Sequence, residues 1–187
     1  MHPALSVILF TTLSGTGYGL WLWLGLRIAF GPRAYDFEPI GWFFALLLGA
    51  VLTTIGIVAS LWHLGKPLRV WRAFSQWRTS WMSREGVMAV ATLIVAVLMV
   101  APLPIPHELA MRPLAALLAL CALGTICSTA MIYASLKPIP AWRHPLVLPG
   151  YIGFALLTGG LAFAALPQPT EVLRIALLVL FALAAIL

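Results

Sequence analysis

The sequence predicts an all-α integral membrane protein, a polytopic helix bundle, on three observations. Hydrophobic residues make up 63% of its 187 positions and charged residues 9%, whereas an average soluble domain carries roughly 25% charged residues. A polar surface cannot be built from so few charges, so lipid is the solvent for most of the chain. Apolar runs near the roughly 20 residues that cross a bilayer recur along it. Proline or charge bounds them, as in GPRAYDFEP and APLPIPHELAMRP.

Six helices are expected in a single transmembrane domain, over about 4–29, 40–62, 85–102, 113–136, 148–166 and 171–187. The first lacks a basic n-region and a convincing small-residue cleavage site, and its apolar stretch is too long for a secretory signal. It is a retained helix. Its TTLSGTGYG stretch suits close helix packing through small residues, and alternatively offers the hydroxyls of Ser6, Thr12 and Ser14 to a polar group. The second helix ends in WHLGKP, where Gly65 can terminate a helix and Pro67 prevents it from resuming. The third opens at Glu85, with Ser83 as its N-cap.

The fourth helix closes on AMIYASLKPI, where Tyr133 is either an interfacial anchor or a hydroxyl near a cavity. Its Cys121 and Cys127, six apart, point in different directions. They lack the clustered spacing of a zinc or iron–sulfur site and are read as buried thiols. The last run, EVLRIALLVLFALAAIL, stops without a cap, a charge or an interfacial aromatic. Further helices are therefore expected to follow it.

Loop charges predict the orientation, since short loops rich in Lys and Arg stay cytoplasmic. Lys66, Arg69, Arg72, Arg78, Arg84, Lys137 and Arg143 fall in the even-numbered loops, seven against the four of Arg27, Arg33, Arg112 and Arg174. The even loops and the N-terminus are placed inside. The same rule accounts for the net charge of +6. No nucleic-acid motif accompanies the basic residues, and nucleic-acid binding is rejected.

The segment LWHLGKPLRVWRAFSQWRTSWMSREGV stands apart from this background. One Lys and four Arg sit among four Trp, with His63 near the front of the segment and Glu85 near its back. Ionisable residues at membrane depth are functional candidates, and one loop joins the helices bearing these two. Both also suit the bland account, in which a His favours a helix C-terminus and a Glu a first turn. The functional account is proton-coupled chemistry at a quinone: His63 can donate and accept, Glu85 can relay protons, and flanking Trp62 offers an apolar wall. Haem is disfavoured because His2, His107 and His144 are terminal or in loops, leaving only His63 for axial ligation. The connector itself suits lipid headgroups through Trp71, Trp77, Trp81 and its arginines. It equally suits docking of a partner subunit through Lys66, Arg69, Trp71, Arg72, Trp77 and Arg78. A transporter is disfavoured, with no evident inverted repeat.

Taken together, HPALSVILFTTLSGTGYG, SLWHLGKPLRVWRAFSQWRTSWMSREGV and TAMIYASLKPIPAWRHP resemble the DmsC family of membrane-anchor subunits, over most of the chain. The resemblance implies eight helices and a bacterial cytoplasmic (inner) membrane location. It further implies a quinone or quinol site without haem. The expected partners are a catalytic subunit with molybdenum on molybdopterin guanine dinucleotide and a subunit with four iron–sulfur clusters. It ties the His of HLG and the following Glu to quinol binding, here His63 and Glu85, with Arg84 as a neighbour. Because the loop charges place that face inside, the chain looks more like the anchor of a quinone-linked sulfite dehydrogenase. A quinol-oxidising anchor of a dimethyl sulfoxide reductase and a purely structural anchor are the alternatives.

Overall fold

A computed structural model describes residues 3–31, 39–62, 67–101, 107–136, 138–139 and 142–166, with Ile175 and Val179 beyond them. Among these residues there are five α-helices and no strand: α1 (Pro3–Phe30), α2 (Pro39–Leu61), α3 (Trp81–Val100), α4 (His107–Ala134) and α5 (Val147–Ala164). All five are long and apolar enough to cross a membrane. Their outer faces are as greasy as their inner ones: Leu109, Phe154 and Leu120 are 72%, 68% and 65% exposed. Helices that are apolar all round belong in lipid. Ile175 and Val179 are helical, and the rest of the sixth expected run lies outside the described residues.

The order of packing is not the order of the chain. Helix α1 is the hub, in contact with α2, α4 and α5, while α3 packs mainly on α4. Although consecutive, α2 and α3 barely touch. Small residues make the hub possible, because without a hydrophobic force between helices in lipid, close van der Waals approach does the holding. At the α1–α5 crossing a Cβ on Gly19 would lie 1.9 Å from Ala155 O, and one on Gly159 would lie 2.2 Å from Gly19 C. On the other flank Trp21 fills the space over Gly49 and donates its indole N–H to Leu46 O at 3.2 Å. Trp23 does the same toward α5, reaching Leu156 O at 2.9 Å. Helices α3 and α4 are laced by the Thr92 and Thr125 hydroxyls, 3.2 Å apart.

Two helix starts differ from expectation. Helix α4 begins at His107 rather than at Pro113, so Pro113 sits inside it and His107 is helical rather than in a loop. Membrane helices tolerate such a proline because neighbours re-satisfy the freed backbone groups. Helix α3 begins at Trp81 rather than at Glu85, with Ser80 in the N-cap position. Ser83, expected as the cap, is instead buried in the first turn. Ser83, Arg84 and Glu85 interrupt the apolar run, so an apolar count starts this helix later than its backbone does. The connector before it is also regular: Pro67–Gln76 forms a 3-10 helix followed by a turn.

Candidate functional site

The early start of α3 changes what Glu85 is. At 1.5 Å per residue, four extra residues carry it about 6 Å deeper than a first-turn position. No acidic residue lies in the first turn of α3, so the helix dipole no longer accounts for Glu85. The partly buried side chain turns to α4, where the Thr129 hydroxyl donates to Glu85 Oε1. That hydroxyl also lies 3.1 Å from Thr125 O. A threonine has one hydrogen and two lone pairs, which lets this arrangement serve either state of the acid. With the carboxylate, Thr129 donates to Glu85; with the carboxylic acid, Glu85 donates to Thr129, which then donates to Thr125 O. The carboxyl group is also within electrostatic reach of three phenols, those of Tyr18, Tyr133 and Tyr151.

Beside this group lies a cavity of about 260 Å³ between α1, α4 and α5. Thr11, Thr12, Ser14, Gly15 and Tyr18 come from α1, Ile126 and Thr129 from α4, and Tyr151, Phe154, Ala155 and Thr158 from α5. The hydroxyl hydrogens of Thr11, Ser14 and Thr158 go to Val7 O (3.0 Å), Phe10 O (2.6 Å) and Phe154 O (2.8 Å) of their own helices. Those oxygens keep lone pairs as acceptors, and the phenols of the lining can donate. Tyr151 is stacked on Tyr133 at 5.5 Å, and Trp142 meets Tyr133 edge-on at 5.0 Å. Of these three rings Tyr151 lines the cavity, and the other two back it.

The family model for the DMSO reductase anchor subunit (DmsC) matches residues 1–187. The chain belongs to the DmsC family. A curated relative, a sulfite dehydrogenase subunit of Allochromatium vinosum, is 36% identical over 88% of this chain. The chain spans about half of that relative's length, 55%. No solved structure matches.

In this DmsC-family chain the residues singled out in the sequence part company. Ser14 lines the cavity, Glu85 is held at it by Thr129, and Tyr133 backs Tyr151. Arg84 and Trp62 point elsewhere. The Arg84 guanidinium donates to Trp77 O at 3.0 Å and Arg78 O at 2.7 Å and lies 4.2 Å over the Trp81 ring, tying the connector turn to α3. Trp62 is 61% exposed just past the end of α2 and does not line the cavity. His63 and Lys66 lie outside the described residues, and Arg69 falls within the 3-10 segment. Along the connector Arg72 and Arg78 lie 5.4 and 5.7 Å over the exposed rings of Trp71 and Trp77. Ser6 and Thr12 divide: Ser6 is buried, and Thr12 is exposed at the rim of the cavity. Cys121 is buried and Cys127 partly buried, both as free thiols.

Sequence reasoning missed Tyr18, Gly15, Thr129, Tyr151 and Thr158. Thr129 and Tyr133 carried a signal, since their spacing of four, continuing from Thr125, puts three polar groups along one face of an apolar helix. Tyr151 and Thr158 carried a similar one at a spacing of seven. Neither pattern says which neighbouring helix that face meets.

Proposed function

We propose that this chain is the quinone-reactive membrane anchor of a heterotrimeric molybdoenzyme. In this reading it passes electrons between the iron–sulfur clusters of one partner and the membrane quinone pool. The observation that carries it is Glu85: a carboxyl group one turn inside a membrane helix, hydrogen-bonded to Thr129 on the wall of a hydroxyl-lined cavity. A quinone carries two ring oxygens that need donors when oxidised and acceptors when reduced. Phenols that donate and hydroxyl oxygens that accept fit both demands. Bound there, a quinone supplies two-electron, two-proton chemistry, and the chain's own part is to orient the ring and hold protons at Glu85 Oε1 and Thr129 Oγ1.

His63 joins this proposal from the family pattern. Helix α2, which leads to it, ends at the same end of the bundle as Glu85, for Gly56 packs on Ser14 of α1. The exposed Trp71, Trp77, Arg72 and Arg78 are proposed to seat the iron–sulfur partner. Sulfite is the proposed substrate of the complex, from the sulfite dehydrogenase relative, with the basic connector on the cytoplasmic side. Glu85→Gln and His63→Ala, made in the assembled complex, are each expected to lower quinone-coupled turnover at least tenfold while the peripheral subunits stay on the membrane. Undiminished turnover in both would reject the quinone site and leave a purely structural anchor.

A further inference from the structure

A glycine inside a helix is destabilising relative to alanine, so each one in α1 calls for a reason. Three have one in helix packing. A Cβ would come within 2.6 Å of Thr53 Cγ2 at Gly17, 1.9 Å of Ala155 O at Gly19 and 2.5 Å of Ala115 O at Gly25. Gly15 has no such reason: a Cβ there meets no atom within 4 Å. What it would enter is the cavity, which Gly15 lines. We propose that Gly15 keeps this cavity open for a quinone ring, and that the ring sits between α1, α4 and α5 with Gly15 setting its width. The proposal rests on the quinone-anchor reading above and adds the place and the limiting residue.

Three further observations point to the same occupant. Tyr18, only 4% exposed, lines the cavity and brings a phenol into its deeper part. At the rim, Thr12 is exposed and Phe154 is 68% exposed, within membrane-spanning helices. The rim thus lies on the apolar outer side of the described α1 and α5, where an isoprenoid tail can leave the cavity. The volume, about 260 Å³, lies just under the roughly 300–1,000 Å³ of pockets that enclose whole drug-sized ligands. It suits a headgroup whose tail stays outside.

The test uses the assembled complex in detergent and a decyl-tailed ubiquinone analogue, with binding measured by equilibrium dialysis. Gly15→Leu is expected to weaken binding at least tenfold and Gly15→Ala by a smaller factor. Gly153→Leu is the control, because a Cβ there also meets no atom within 4 Å and the residue does not line the cavity. It should bind within twofold of the parent. Parental affinity in Gly15→Leu, or an equal loss in Gly153→Leu, would overturn the placement. Loss of turnover in Glu85→Gln beside normal binding in Gly15→Leu would reject the location alone. A parent complex that binds no analogue would reject the quinone reading beneath it, and the placement with it.

Discussion

Replacing Gly19 with alanine sets two physical effects against each other. Helix propensity favours the change by about 1 kcal/mol. Packing opposes it, because the new methyl would sit 1.9 Å from Ala155 O where ordinary contact begins at 3.4 Å. The obstacle is backbone, with no rotamer to turn away, and α5 must shift by more than an ångström to make room. Overpacking of this kind costs typically 1–3 kcal/mol, and a backbone clash belongs at or above the upper end. The net expectation is a loss of about 2 kcal/mol, roughly a 30-fold change in the folded-to-unfolded ratio. Equilibrium unfolding of the purified chain in mixed micelles, titrated with a denaturing detergent, measures it. Gly153→Ala, at an open position, isolates propensity and should be neutral or stabilising by up to about 1 kcal/mol. A Gly19→Ala variant as stable as the parent would refute the claim that bare backbone contact holds α1 to α5.

Two further outcomes follow from the site and the connector. Thr129→Val keeps the shape but removes the hydroxyl that donates to Glu85; leaving a buried polar group unpaired costs about 1–3 kcal/mol, which the same titration would show, while Thr129→Ser should recover most of it. The double variant Trp71→Ala, Trp77→Ala removes two exposed rings and should change the unfolding free energy by less than about 0.5 kcal/mol. Retention of the peripheral subunits on washed membranes should fall at least fivefold, and full retention would dismiss the connector as a docking surface.

The helices were largely legible because their lengths answer to bilayer thickness and their ends to proline and charge. Where the reading slipped, at Trp81 and His107, the helix runs on through residues that an apolar count treats as loop. Glu85 was legible as a rare charge in an apolar chain. Its partner was not, since a threonine in a membrane helix ordinarily satisfies itself on its own carbonyls, as Thr11, Thr53 and Thr158 do here. Nothing in the residue type marks Thr129, or the Thr92 and Thr125 pair, as reaching across to another helix.

Composition and spacing by themselves determined that this chain is built for lipid, that long apolar helices carry it, and which short stretch departs from that composition. The tertiary structure decided that consecutive α2 and α3 lie apart, that Arg84 serves the connector rather than the cavity, and that Gly15 differs from its neighbouring glycines. The reason is the solvent. In water an apolar stripe tells a helix which way to face, but in a bilayer both faces are apolar and rotation is set by where small residues let backbones meet.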